Sequence, residues 1–191
     1  MARKIYIALL HTPVYNKRME VISTSITNLD IHDISRVSRT YGVKQYFLVH
    51  PLDAQQNLAK EMLGYWREGY GGEYNPDRKD ALEVLEVISD LDAVLARIEE
   101  LEGTRPRTVA TDARIYPQTT GYKELREKIE EGSEPYLVLF GTGWGITSEL
   151  IGSCDYVLEP IEGGGEYNHL SVRSAVAIIL DRLLGDYWWK K

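Results

Sequence analysis

Disulfide chemistry is closed to this chain, because its 191 residues contain one cysteine, Cys154. That thiol and four scattered histidines (His11, His32, His50, His169) give no set with zinc-ligand spacing, so no metal is expected. No apolar run approaches the roughly 20 residues of a membrane span. Met1-Ala2-Arg3-Lys4 leads into an apolar strand rather than a signal peptide, so the chain reads as cytoplasmic, with no membrane partner. Excess positive charge is also missing. The formal charge of −7 argues against indiscriminate nucleic-acid binding. Neither a Gly-x-Ser-x-Gly elbow nor a His-Glu-x-x-His helix occurs, which leaves hydrolase and metalloprotease readings without an anchor.

What is present fits one domain, residues 1–191, with a sizeable core. Charge is unevenly spread. Residues 1–50 hold seven Lys/Arg against three acids, while residues 51–191 hold fifteen against twenty-six. A local basic face from the N-terminal segment is one reading of this, and dispersed solvated side chains are the other.

Apolar runs and helical spacings alternate along the chain. Lys4–Leu10 and Tyr46–Val49 have the continuous apolar character of buried parallel strands, as do Thr108–Thr111, 136–140 and 156–160. Helical spacing covers Asp33–Tyr41, stopped by Gly42, and Asp53–Trp66. Gly69–Pro76 reads as a loop. Asp77 or Pro76 starts a helix through Leu85, followed by a short strand 87–89 and a helix capped by Asp90 to Leu101; the alternative is one helix over 77–101. Thr119 or Thr120 caps a helix to Glu131, and a last helix covers roughly Asn168–Leu184, with Asn168 or Ser171 as its cap. The alternation predicts an α/β fold with a mostly parallel sheet flanked by helices.

Two glycine-rich loops follow strands in the last third, Gly141-Thr142-Gly143-Trp144-Gly145 and Glu162-Gly163-Gly164-Gly165. Loops at the carboxyl ends of neighbouring strands are where small ligands sit in such sheets, and glycine lets backbone approach them closely. The first loop is neither a dinucleotide fingerprint nor a P-loop, since Ile146 replaces the required glycine and no Gly-Lys-Ser/Thr follows. The densest set of reactive side chains is Asn28–Arg36. There Asp30, His32 and Asp33 are candidate bases, and Arg36 can grip a phosphate or carboxylate. His11 and Asn16 follow the first strand and are candidates for the same site, His11 being at least as readily structural. Cys154 reads as an inert buried thiol. The terminal Tyr187-Trp188-Trp189 reads as packing against a subunit or the core, with base stacking as the alternative.

Three ordered segments resemble the SPOUT class of S-adenosylmethionine-dependent RNA methyltransferases. They are Asn28…Asp33-Ile34-Ser35-Arg36-Val37…Tyr41-Gly42-Val43…Phe47-Leu48-Val49, then Leu137–Ile146, then Leu158–Ala177 with its Tyr167-Asn168-His169-Leu170-Ser171-Val172 helix entry. The likeness is to a small bacterial subgroup that also occurs fused to tRNA (guanine-N1) methyltransferases. It implies a C-terminal trefoil knot, a homodimer and S-adenosylmethionine as cofactor. It also implies a donor site at Leu139, Phe140, Gly141, Gly143, Ile161, Tyr167, Asn168 and Leu170. Arg36 is then the contact to phosphate or donor carboxylate, with Asp33, His32 or His169 as general base. Thr142-Gly143-Trp144 departs from the Gly-x-Glu of one branch of the class, and His169 and Arg173 depart from its helix entry. Methyl transfer to RNA, tRNA or rRNA, is therefore the expected function. A non-catalytic S-adenosylmethionine- or RNA-binding module is the alternative, and an enzyme on a small acidic metabolite is a third.

Overall fold

A computed structural model describes residues 3–165 and 167–186. In chain order the elements are β1 (Ile5–Leu10), β2 (Val14–Tyr15), β3 (Val21–Ile22), α1 (Asn28–Thr40), β4 (Gln45–Val49), α2 (Asp53–Arg67), α3 (Tyr70–Tyr74), α4 (Pro76–Leu82), β5 (Leu85–Ile88), α5 (Leu91–Glu102), β6 (Arg107–Ala110), α6 (Tyr122–Glu131), β7 (Tyr136–Gly141), α7 (Ser148–Gly152), β8 (Tyr156–Val157) and α8 (Val172–Leu184). Six strands form one sheet in the order β5-β4-β1-β7-β6-β8, every pair parallel. The chain first builds outward from β1 through β4 to β5. It then crosses back and inserts β7 beside β1, with Ile5–Leu10 in register with Tyr136–Gly141. The carboxyl ends of β1 and β7 thus flank the point where the winding reverses, the usual ligand position in open α/β sheets.

Strand alternation divides the core between two faces. Ile5, Ile7 and Leu9 of β1 join Val138 and Phe140 of β7 beneath α1, α2, α6 and α8. Tyr6, Ala8 and Leu10 join Leu137 and Leu139 on the opposite face, under α5 and α7. In α8 the buried stripe is Val176, Ile179, Leu180, Leu183 and Leu184, each worth about 1.5–3 kcal/mol when fully buried.

Several boundaries differ from the sequence reading. α1 starts at Asn28, five residues before Asp33, because Thr27 caps it: its Oγ1 accepts the N–H of Asp30 at 3.2 Å. Asp33 is therefore an interior residue. The segment expected as a loop at 69–76 contains α3, which docks on α2 because Gly71 and Gly72 leave room for Tyr65 and Trp66. Between residues 76 and 102 the split reading is the observed one, except that Leu85 begins β5 rather than ending a helix. The cap of α6 is Gly121, not a threonine, and α8 begins at Val172 with Ser171 as its cap. Cys154 lies in the turn after α7, and burial pushes its thiol up to about 11. The terminal aromatic run 187–189 lies outside the described residues.

Glu102, at the end of α5, fastens the edge of this core. Burial would raise its carboxyl, but hydrogen bonds from Tyr6, Lys44 and Lys4 outweigh that and hold it at about 2, against 4.5 for the free group. A pKa depressed by folding contributes stability above the unfolded value and loses it as pH falls through the folded one. Glu102→Gln is expected to lower Tm at neutral pH. It is also expected to flatten the loss of Tm that the wild type shows between pH 4.5 and 2, as followed by circular dichroism.

Candidate functional site

β7 leaves the sheet at Gly141 and turns sharply, with the N–H of Gly145 donating to the Thr142 carbonyl at 3.1 Å. Gly143 (φ +60°) and Gly145 (φ +92°) are left-handed. A Cβ on Gly143 would come within 2.7 Å of the Tyr15 carbonyl oxygen, and one on Gly145 within 2.6 Å of Asp112 Oδ2. At these two positions the missing Cβ thus makes room for contacts inside the protein.

The partners of that turn come from far along the chain. β2 and β3 form a hairpin whose Tyr15 donates its N–H to the Gly145 carbonyl (2.9 Å) and accepts from the N–H of Trp144 (2.8 Å). Asp112, just beyond β6, is gripped by Arg114 through Nε (2.9 Å) and Nη2 (2.7 Å), and Nη2 also reaches the Ile146 carbonyl. Thr142 Oγ1 donates to the Leu10 carbonyl at 3.2 Å and also meets Thr24 Oγ1, which in turn meets His11 Nδ1 at 2.9 Å. His11 is fully buried. Its burial, and His50 beside it, lower its pKa to about 4, so at neutral pH it is an uncharged structural group. His50 accepts the Leu52 N–H at Nδ1, which leaves Nε2 as the donor to the Thr24 carbonyl.

Between this turn, the hairpin, residues 111–114, the segment 161–171 and the first turns of α1 and α8 lies a cleft of about 870 Å³. Phe140, Ile161, Val172, Ala175 and Ile179 make its apolar side. Of the segment after β8, Ile161 and residues 167–170 line the cleft, and these exchange no backbone hydrogen bond with any other described residue. Asp30 adds a carboxylate. It is 6% exposed, its carboxyl is raised by burial against the opposing pull of Thr27 and Arg173, and Arg173 stands 3.8 Å away.

Seven of the eight donor-site residues inferred from the sequence line this cleft: Phe140, Gly141, Gly143, Ile161, Tyr167, Asn168 and Leu170. Leu139 does not. Strand alternation turns its side chain to the far face, and its carbonyl already accepts both the N–H (3.2 Å) and the Oγ1 (2.8 Å) of Thr111. Of the catalytic candidates, His169 lines the cleft and meets the Tyr167 ring edge-on at 5.4 Å. Asp33, His32 and Arg36 do not line it. The rotation of α1 sends His32 against Trp66 (ring centroids 5.2 Å), where burial, Arg78 and Arg36 outweigh Asp33 and lower its pKa. Asp33 lies 3.6 Å from Arg173, and Arg36 is exposed, with no ion pair to a described residue. Lys17, Thr24, Thr111 and Asp112 line the cleft unforeseen. Searching the carboxyl ends of β1 and β6 as closely as that of β7 would have found them.

Comparison with known proteins places this geometry. Residues 4–185 match the model of a family described as SAM-dependent RNA methyltransferase, and the chain belongs to that family. An uncharacterized protein of Aquifex aeolicus is 45% identical over 179 residues, covering 94% of this chain and 87% of that one. A tRNA (guanine-N(1)-)-methyltransferase of Oleidesulfovibrio alaskensis is 42% identical over 184 residues, 96% of this chain but only 43% of the relative, so the chain spans less than half of that protein. The solved SpoU methyltransferase AviRb of Streptomyces viridochromogenes, in complex with AdoMet, shares the fold with a TM-score of 0.60 at 14% identity, over 99% of this chain and 60% of that one. S-adenosylmethionine is the methyl donor of the family. The cleft fits it: an apolar wall suits the adenine, and residues at its edge that have no backbone partner among the described residues suit the adenine's polar edge.

Proposed function

We propose that this chain is one subunit of a cytoplasmic homodimer that methylates tRNA or rRNA, with the donor held in the cleft at the ends of β1 and β7. The observation that carries this reading is the convergence, on one cleft, of the first glycine-rich loop, of Ile161 and residues 167–171 on either side of the second, and of the start of α8; the second loop's own glycines, 163–165, do not line it. Phe140, Ile161, Tyr167 and Leu170 give apolar contact, and backbone groups of Gly141, Gly143 and Asn168 contact the adenine and methionine parts. The trefoil knot of the class would be formed by 159–171 and α8. The sulfonium supplies an already activated methyl group, so the protein's work is to orient the acceptor, exclude water and remove a proton where the acceptor carries one.

Arg36 is exposed and does not line the cleft of its own protomer. In this reading it reaches the partner's cleft and holds an RNA phosphate or the donor carboxylate there. Asp33 and His32 of the same helix, or His169 inside the cleft, take the proton. That none of the three α1 residues lines the cleft is also the observation favouring a module that binds the donor without catalysis. Incubation with tritiated S-adenosylmethionine and total small RNA separates the two. Label transfer is expected, and nucleoside mass spectrometry of RNA from cells with and without the gene should then show one missing modification. Tight donor binding without transfer would establish the module instead.

A further inference from the structure

The rim of the cleft carries side chains that neither the fold nor donor binding uses. Trp144 is 51% exposed and makes no ring contact with another described residue, yet the main chain around it is fully tied. Its own N–H goes to Tyr15, and the next residue bonds to Thr142 through its N–H and to Tyr15 through its carbonyl. The backbone that carries this exposed indole is thus anchored, with a left-handed glycine on either side.

The hairpin tip beside it is also built in advance. Asn16 Oδ1 accepts the N–H groups of Arg18 (2.8 Å) and Glu20 (3.0 Å), and Met19 (φ +61°) donates its N–H to the Asn16 carbonyl. Met19 is 50% exposed and lines the cleft, as does Lys17. Lys17 and Arg18 are exposed without ion pairs to described residues, because the acid of the same turn, Glu20, is taken by Asn16 Nδ2 at 2.7 Å.

An exposed indole on an anchored backbone, a thioether and two cations without ion pairs among the described residues, at the mouth of a ligand cleft, match one partner chemistry, an unpaired stretch of polynucleotide. Bases stack on aromatic faces whatever their sequence, while Lys and Arg hold the phosphates. A paired base could not reach a donor inside such a cleft without leaving its stack. A protein partner fits less well. The apolar part of this rim is small, and its two cations stand out on a chain with a net charge of −7.

We propose that Trp144 and the hairpin tip 16–20 form the surface on which single-stranded RNA lies as its target nucleotide enters the cleft. This rests on the methyl-transfer reading above and identifies how its substrate docks. Trp144 stacks the target base or its neighbour, and Lys17 and Arg18 take the flanking phosphates.

The test is fluorescence anisotropy of a fluorescein-labelled, mixed-sequence 16-nucleotide RNA, single-stranded and as a duplex, with calorimetric donor binding and label transfer to small RNA followed in parallel. The wild type should prefer the single strand. Trp144→Ala should weaken it about tenfold, and Trp144→Phe should restore most of the loss. Arg18→Glu should weaken it by a similar factor and flatten the salt dependence. Donor affinity should hold in all three variants, which excludes collapse of the loop. The proposal is overturned if either weakening variant binds the single strand within about twofold of the wild type, or if the wild type prefers the duplex. A wild type that transfers no methyl group, but loses RNA in both variants, would leave the docking surface standing and remove the methyl-transfer reading.

Discussion

Ala175→Phe is expected to abolish donor binding while leaving the fold intact. Ala175 sits in the first turn of α8, half-buried and facing the cleft between Val172 and Ile179. Long side chains in a helix lean towards its N-terminus. A phenylalanine there therefore extends over the preceding segment, into the space between Phe140 and Ile161. No buried contact is removed, so Tm of the free protein should move by no more than a few degrees. The wild type, by contrast, gains about 2.7 kcal/mol of stability at a donor concentration one hundred times Kd. The variant should show none of that thermal shift, and titration calorimetry should give at least a hundredfold weaker binding. Undiminished affinity would mean that the donor does not lie along α8. Gly143→Val is a poorer test, because a Cβ there meets the Tyr15 carbonyl. It would loosen the hairpin and the loop together, whatever occupies the cleft.

The contrast between those two positions shows what could be read from the sequence. The sheet was legible because its strands are buried on both faces and stand out as unbroken apolar runs such as Ile5–Leu10 and Tyr136–Phe140. The two glycine-rich loops were legible as well, since glycine spacing is local. Their physical reason was not. Gly143 and Gly145 make room for Tyr15 and Asp112, which lie more than thirty residues away in sequence and leave no periodic trace. Leu139 and Phe140 are adjacent in the chain and fall on opposite faces of the sheet, so a contiguous motif could not put both side chains in one cleft. The start of α1 was hidden because Thr27 looked like one more polar loop residue. Moving that start by five residues leaves the helical phase unchanged. What decides the site is that phase: Asp30 turns to the cleft, while His32 turns to Trp66 of α2 and Arg36 stays exposed outside the cleft.

That phase gives the second large effect. Arg36→Ala is expected to abolish methyl transfer while sparing donor binding, and the loss should be repairable in trans. On the reading proposed above, each cleft of a two-fold dimer borrows Arg36 from the other subunit. A protomer without Arg36 therefore still has a sound cleft, and a protomer carrying Ala175→Phe still has a sound Arg36. Each variant alone should be inactive. After the two are mixed, and subunits reassort at random, half of the dimers are mixed and each contains one complete site. About a quarter of the wild-type rate should then return. Label transfer to small RNA reads the rate, and size-exclusion chromatography with light scattering reads the assembly. A mixture that stays inactive although mixed dimers form would confine Arg36 to its own protomer, where it does not line the cleft. Activity in Arg36→Ala alone would take the residue out of the chemistry altogether. The burden would then pass to the acids and bases that do line the cleft, among them Asp30, Asp112 and His169, and a single subunit would hold every reacting group.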